Sequence, residues 1–280
     1  MARQDEVTAA SPPVIALLTD FGHSDPYVGV MKGVILARSP ATQIVDLTHQ
    51  VPPQSVLEGA FLLETAWRYF PNGTVFLVVV DPGVGSARKR LAVRAHGMTF
   101  IGPDNGCLSS VLSDDARGQR DAGAPYKPAL CSLQANITAV SIADLSLLGS
   151  TVSATFEGRD VFAPAAGVLA SGGSIDDLGP RVEAMQAYPA FRAPGGRGLV
   201  IHVDTYGNLI TDIRAVDVEA ASRFVIDGQQ LPLVRTYADA PAGGLVAIAG
   251  SSGFVEIAVA NGSAAARLEA GMGATVDVSA

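Results

Sequence analysis

The sequence predicts an α/β chain, with an amino-terminal α/β domain around a mostly parallel central sheet and a carboxy-terminal antiparallel β-barrel domain. Three observations lead there. Over the first two-thirds of the chain, apolar strand-like runs alternate with segments of helical period. The run 74–80, TVFLVVV, is apolar on both faces, as the centre of a parallel sheet requires. Beyond residue 198 only short strand-like runs remain, separated by turns containing Gly, Asn and Asp. With 280 residues, 48% of them hydrophobic, the chain is long enough for two domains with substantial cores.

In chain order, residues 1–13 read as a mobile tail ending at Pro12-Pro13. Residues 14–190 read as the α/β domain, 191–198 as a Gly/Pro-rich linker and 199–280 as the barrel. Residues 14–18 form a strand that stops at Thr19-Asp20-Phe21-Gly22. Residues 27–37 carry Val28, Met31, Val34 and Ile35 at helical spacing. Residues 44–47 are strand-like. Residues 55–70 are amphipathic, with Val56, Ala60, Leu63 and Trp67 on one face and Glu58 and Glu64 off it; Ser55 and Glu58 have the spacing of a capping box. After the strand at 74–80 come strand candidates at 91–95 and 99–101. Residues 114–150 show weak periodicity and predict no element. Residues 160–171 predict a helix entered through Gly158-Arg159-Asp160. Seven strand candidates follow: 199–203, 209–213, 224–226, 231–234, 245–248, 255–259 and 274–278.

Composition excludes several functions. Nineteen Lys and Arg against 27 Asp and Glu give a formal charge of −8, so no concentrated basic face is available for nucleic acid or an anionic membrane surface. No apolar run reaches eighteen residues, which argues against a transmembrane helix. The first residues lack a basic stretch followed by an apolar one, so no secretion signal is read. Cys107 and Cys131 exclude a disulfide scaffold and a CxxC metal site, and a reduced cytoplasmic compartment is the expectation. GxGxxG, GxxxxGK[ST] and GxSxG are absent, and His23, His49, His96 and His202 have no metal-ligand spacing; no metal site is expected.

What remains is polar residues at strand ends. Asp20 and Phe21 follow the first strand, Asp81-Pro82-Gly83-Val84-Gly85-Ser86-Ala87-Arg88 follows the most apolar one, and Gly102-Pro103-Asp104-Asn105-Gly106 follows another. Ligands of open α/β sheets bind at the carboxyl ends of strands. These residue types also build ordinary turns. Asp81 at the end of a buried strand needs a partner, and Arg88 could fold back across the glycine-rich turn to meet it. Glu157 and Asp160 stand where a helix begins, as caps or as site residues. In the second domain, Asp204-Thr205-Tyr206-Gly207-Asn208, Arg235-Thr236-Tyr237 and Gly250-Ser251-Ser252-Gly253-Phe254 mix aromatic and small polar residues. That mixture suits a purine nucleoside, while hairpin chemistry accounts for each loop singly.

The ordered segments TDFG (19–22), YVGVMKGVI (27–35), IVDLTH (44–49), FPNGTV (70–75), DPGVG (81–85), PDNG (103–106), TFEGRD (155–160), DTYGN (204–208) and EIAVANGSAA (256–265) resemble the S-adenosyl-L-methionine (SAM) hydroxide adenosyltransferase family, relatives of fluorinases and chlorinases. The resemblance runs from about residue 14 to the carboxy terminus. It implies a homotrimer holding SAM between one subunit's first domain and its neighbour's second, and hydrolysis of SAM to adenosine and L-methionine. SAM is then a substrate, and no cofactor is needed. The family's Asp–Arg–His triad falls on Asp81, Arg88 and Glu157, so a carboxylate stands where the family has histidine. Ligand-binding positions fall on Asp20, Phe21, Asp204, Asn208, Tyr237, Ser251 and Ser252, with Asp20 and Asp204 at the ribose or methionine ends and Tyr237 stacking on adenine. Two other readings are a non-catalytic SAM or adenosine sensor and a SAM-dependent halogenase.

Overall fold

The structure is a computed structural model that describes residues 11–144, 146 and 152–279. Most of the tail expected at 1–13 and part of the stretch 114–150 therefore lie outside the described residues. The chain packs as two compact units: one comprises the described residues of 1–54, 69–104 and 135–183, the other those of 55–68, 105–134 and 184–280.

The first unit is built on a six-stranded sheet. Its strands are β1 (Val14–Thr19), β2 (Gln43–Thr48), β3 (Val75–Val79), β4 (Arg90–Ala95), β5 (Met98–Pro103) and β7 (Thr138–Ser141), in the order β2-β1-β3-β5-β4-β7. β2, β1, β3 and β5 run parallel; β4 is added antiparallel to β5, and β7 pairs antiparallel with β4 and so runs in the direction of the parallel strands. Every residue of β3 is buried, as its uninterrupted apolar run predicts. Helix α1 (Tyr27–Arg38) buries Val28, Met31 and Ile35 at helical spacing. Helix α4 (Ala163–Ala170) follows one π-helical turn, Gly158–Phe162. Ile15, Leu17, Leu77, Val79, Met31, Ile35, Phe162 and Ala166 belong to one core cluster.

The chain leaves β1 for β2 on one side and later places β3 on the other. The carboxyl ends of β1 and β3, in register with Thr19 opposite Val79, thus form the switch point where α/β sheets bind ligands.

The second unit contains a closed seven-stranded barrel: β9 (Arg197–Val203), β10 (Leu209–Arg214), β11 (Arg223–Ile226), β12 (Gln229–Val234), β13 (Leu245–Ala249), β14 (Phe254–Val259) and β15 (Thr275–Ser279). Each corresponds to one of the seven predicted strands. All neighbours pair antiparallel except β12 and β13, which run parallel, so the barrel is mixed rather than wholly antiparallel. The segment between those two strands includes a short 3-10 turn, Tyr237–Asp239, which makes the connection a crossover instead of a tight hairpin. Residues 114–150 hold α3 (Asp114–Arg117), β6 (Ala129–Ser132) and β7; β6 pairs with β8 (Ala184–Ala187). These elements are four residues each, too short to show a period.

Helix α2 (Val56–Ala66) corrects one expectation. Glu58 and Glu64, read as lying off the apolar face, are both buried. Ser55 Oγ donates to Glu58 Oε2 at 2.8 Å instead of capping the helix. Glu58 Oε1 faces His202 Nδ1 at 2.9 Å. Glu64 accepts from Arg117 Nη1 at 2.9 Å and Arg214 Nη2 at 3.0 Å. Burial without those partners would be prohibitive for a carboxylate. Glu64→Ala leaves Arg117, itself almost fully buried, without its main counter-charge. A loss of about 3–5 kcal/mol is expected in urea unfolding, with less lost in Glu64→Gln.

Candidate functional site

The turn after β1 is tied down by hydrogen bonds to the segments around His49 and Gln54 and to the Thr19 side chain. Gly22 N donates to His49 O at 2.7 Å, Gln54 N donates to Asp20 Oδ2 at 2.8 Å, and Phe21 N donates to Thr19 Oγ1 at 3.2 Å. Thr19 Oγ1 lies 2.8 Å from Nδ1 of His49, a fully buried ring. Burial lowers the His49 pKa against the pull of Asp46, whose Oδ1 lies 3.0 Å from Nε2. These contacts present Phe21 edge-to-face to Tyr27 and Phe156, with centroids 5.9 Å apart in each pair, while Tyr27 and Phe156 meet at 5.2 Å.

Asp81 follows β3, and the glycine-rich turn brings Arg88 back onto it. Arg88 Nε donates to Asp81 Oδ1 at 2.7 Å, and Nη2 also meets Oδ2. The turn depends on Gly85, whose φ is +78° and where a Cβ would stand 2.6 Å from the Ala154 carbonyl oxygen. Glu157 stands at the entry to the π turn, and the turn packs closely there: a Cβ on Gly158 would lie 3.2 Å from both Met31 Sδ and Phe156. Glu157 Oε2 accepts from Arg88 Nη2 at 2.6 Å, and Oε1 accepts from Arg90 Nη2. Glu157 is therefore an ion-pair partner rather than a helix cap. Asp160 is not a cap either: it accepts from Ser153 N at 2.8 Å and pairs with Arg159.

Two carboxylates and two guanidinium groups thus sum to zero charge. The side chains of Asp81, Glu157 and Arg88 are 5%, 2% and 8% exposed. Burial raises the Asp81 pKa, the Glu157 charge adds to the rise, and Arg88 only partly opposes it. Burial pushes Glu157 upward too, but hydrogen bonds from Arg90 and Arg88 outweigh it and its pKa is lowered. Asp81 is accordingly the more basic of the two relative to its ordinary value. Among the described residues, Arg88 Nη1 is a buried donor without an acceptor. Beside this network lies a pocket of about 450 Å³ lined by Phe21, Tyr27, Val79, Asp81, Val84, Ser153, Thr155, Phe156, Glu157, Gly158 and Arg159.

The barrel unit carries its own pocket, about 680 Å³, whose walls include Asp204, Tyr206, Asn208, Tyr237, Ser251 and Glu256. Asp204 Oδ1 accepts from Tyr206 N and Asn208 N, each at 2.9 Å, and Oδ2 from Asn208 Nδ2 at 2.9 Å. Tyr237 Oη donates to Glu256 Oε2 at 3.0 Å and accepts from Asn208 Nδ2 at 3.3 Å. Burial and the neighbouring Glu256 push the Tyr237 hydroxyl up to about 12. Burial also raises Glu256, with the Asp204 charge adding to it.

Of the residues singled out from sequence, Asp81, Arg88, Glu157 and Phe21 come together at one site, and Asp204, Asn208, Tyr237 and Ser251 at the other. Asp20 sits in the turn beside Phe21 with its carboxylate on Gln54, and Ser252 is half-buried next to Ser251; neither lines either of these two pockets. Tyr27, Phe156, Arg90 and Glu256 were not singled out. Tyr27, Phe156 and Glu256 lie inside or beside the motifs YVGVMKGVI, TFEGRD and EIAVANGSAA, which was the available signal. Arg90 is a strand residue nine positions after Asp81, and no local pattern marks it.

Residues 15–179 match the SAM hydroxide adenosyltransferase N-terminal domain, and residues 198–277 match the corresponding C-terminal domain. The chain is 39% identical over 254 residues to the (R)-S-adenosyl-L-methionine hydrolase of Thermus thermophilus, covering 89% of this chain and 93% of that one. It is 36% identical to the enzyme of the same name from Salinispora arenicola, covering 91% and 94%. A fluorinase from an Actinoplanes species is 28% identical, covering 81% and 84%. The fold is similar to that of a conserved protein from Thermotoga maritima, with a TM-score of 0.81 at 32% identity, covering 95% of this chain and 100% of that one. Buried acid–guanidinium chemistry at the sheet's switch point, a polar–aromatic pocket on the barrel and matches to both domains over most of the sequence lead to one conclusion: the chain belongs to the SAM hydroxide adenosyltransferase family.

Proposed function

We propose that the protein hydrolyses SAM at C5′, giving adenosine and L-methionine, with the (R)-sulfonium configuration named for its relatives as the substrate. The observation that carries this reading is the charge-balanced Asp81–Arg88–Glu157–Arg90 network beside an aromatic pocket, with Asp81 raised and one Arg88 donor unused.

The substrate supplies a good leaving group, because the sulfonium departs as a neutral thioether. The nucleophile is the difficulty: bulk water has a pKa of about 15.7. Holding one water in line with the C5′–S bond contributes roughly 7–11 kcal/mol in well-oriented systems. As the water oxygen bonds to C5′, the C5′–S electron pair returns to sulfur. The water proton passes to Asp81 and then to solvent. Arg88 stabilises the developing hydroxide. Phe21, Tyr27 and Phe156 offer apolar faces beside the acid–guanidinium network, and the lower local dielectric there strengthens the attraction between anion and sulfonium. Tyr237 offers a stacking face, and Asn208 and Asp204 offer amide and carboxylate groups to nucleoside or amino-acid edges. The two pockets complete each other across neighbouring subunits of a homotrimer, as the family resemblance implies, and the free cysteines suit a reducing compartment.

A halide nucleophile, the reading favoured by the fluorinase relatives, would meet Asp81 and Glu157 and be repelled. A sensor would bind SAM and leave it intact. Incubation in ¹⁸O-labelled water separates these readings: label is expected in the 5′-oxygen of adenosine. SAM retained without products would overturn the proposal in favour of a sensor, and 5′-halo-5′-deoxyadenosine in chloride or fluoride would overturn it in favour of a halogenase.

Asp81 accepts a proton only when ionised, so turnover falls as pH drops through its raised pKa. The acid limb of kcat/KM is expected above the ordinary aspartate value of about 3.9, and Asp81→Asn is expected to lower kcat by about 10²–10⁴. Glu157→Ala should cut kcat with little change in SAM binding; undiminished turnover removes Glu157 from the mechanism. Tyr237→Ala should weaken adenosine binding by about 1–3 kcal/mol in calorimetry if the ring stacks on the base.

A further inference from the structure

The assigned roles leave Arg90 unused, although it holds half of the most buried carboxylate in the site. Arg90 opens β4, antiparallel to β5, and its position is fixed by the ladder: it stands opposite Pro103, and its carbonyl accepts from Ile142 N at 2.7 Å. Its side chain is 28% exposed, while Glu157, which it contacts, is 2% exposed. Glu157 therefore has two cationic partners on its two oxygens, Arg88 on Oε2 and Arg90 on Oε1.

The consequence is electrostatic. Asp81 and Glu157 share Arg88, so with Arg88 alone the centre would hold two buried anions against one cation. Two carboxylates around one cation raise the affinity of one of them for a proton. The proton would then settle between the acids before any water reached the site. Arg90 supplies the second cation. Arg159 and Asp160, on the same turn as Glu157, form a bidentate pair with each other, at 2.6 and 2.8 Å. They add no net charge.

We propose that Arg90 is a positioning residue for the water-activating centre: by holding Glu157 Oε1 it keeps Glu157 ionised as the second anchor of Arg88, and so reserves Asp81 as the group that takes the proton from water. This rests on the hydrolase reading for the identity of the reaction, but the electrostatic claim concerns the resting protein. Glu157 and Arg90 form a matched pair, so a carboxylate at position 157 works only with a cation at position 90. Arg88 pairs with Asp81, while Arg90 contacts Glu157 and is not part of the pocket lining.

The test uses Arg90→Gln, which keeps a hydrogen-bonding side chain and removes the charge, with Arg90→Lys as the conservative variant. Two readouts are compared with the parent protein: the pH profile of kcat/KM for SAM, and the titration of the Asp81 and Glu157 carboxyl carbons by ¹³C NMR, assigned with Asp81→Asn and Glu157→Gln. Arg90→Gln is expected to move both the acid limb and the carboxyl titration upward by roughly one pH unit or more. It should also lower kcat at neutral pH about tenfold with KM within about twofold, a loss confined to the chemical step. Arg90→Lys should restore most of both. Superimposable carboxyl titrations in the parent and Arg90→Gln would overturn the proposal, as would an Arg90→Lys protein no different from Arg90→Gln. The titration needs no turnover. A parent protein that yields no adenosine, with a titration that still moves, would sink the hydrolase reading and leave the role of Arg90 in place.

Discussion

Asp81 stands at the end of β3, a strand with every residue buried, and that placement constrains everything around it. A carboxylate there loses most of its hydration, so the chain must return a cation to it within a short reach. The turn 82–87 does this with Gly85 in a backbone conformation open to glycine, bringing Arg88 into a two-armed contact. Once Arg88 is fixed, its Nη2 also donates to Glu157, and Glu157 in turn is met by Arg90. The network grows outward from one buried charge, each member present because the previous one left a charge or a donor unmatched.

The sheet and barrel were legible because their signals are local. TVFLVVV reads as a central strand from seven consecutive residues, and the seven runs after residue 198 match the seven barrel strands. The Asp81–Arg88 pairing was legible for the same reason, since both residues lie on one short turn. What could not be read depends on distance along the chain. Glu58 and Glu64 look like the solvated face of an amphipathic helix; their partners His202 and Arg214 lie 144 and 150 residues away. Arg90 looks like an ordinary strand residue, and its partner is 67 residues away. Helical period reports which face a residue is on, not whether a distant cation waits on that face. The family resemblance, by contrast, named Glu157 as the place where this chain departs from its relatives, but carried no information on what compensates for the departure.

The same device recurs in the second unit. Glu64 and Asp114 share Arg117 and Arg214, again two acids and two guanidinium groups. Asp212, fully buried, is matched by Arg120, by the Tyr126 hydroxyl at 2.8 Å and by the Leu199 backbone N–H at 2.7 Å. Burial carries the Tyr126 hydroxyl far above its ordinary range, with the Asp212 charge adding to it, so this phenol stays protonated and serves as a fixed donor. These networks hold irregular segments to the barrel, and in them each acid is locked as an acceptor.

Charge balance alone therefore does not mark a reactive centre. What distinguishes the Asp81 network is its asymmetry and its surroundings. Within it Glu157 is held firmly ionised by two arginines, while Asp81, sharing only one, keeps a raised affinity for a proton. It is also the network that opens onto a cavity walled by Phe21, Tyr27 and Phe156, where a cationic sulfur would find apolar faces and a water would find an acceptor and a guanidinium. A proton can be received there because one acid has been left under-compensated, and the neighbouring acid, held by two guanidinium groups instead of one, competes poorly for that proton. Structural and chemical uses of buried ion pairs differ in this protein by how evenly the cations are shared.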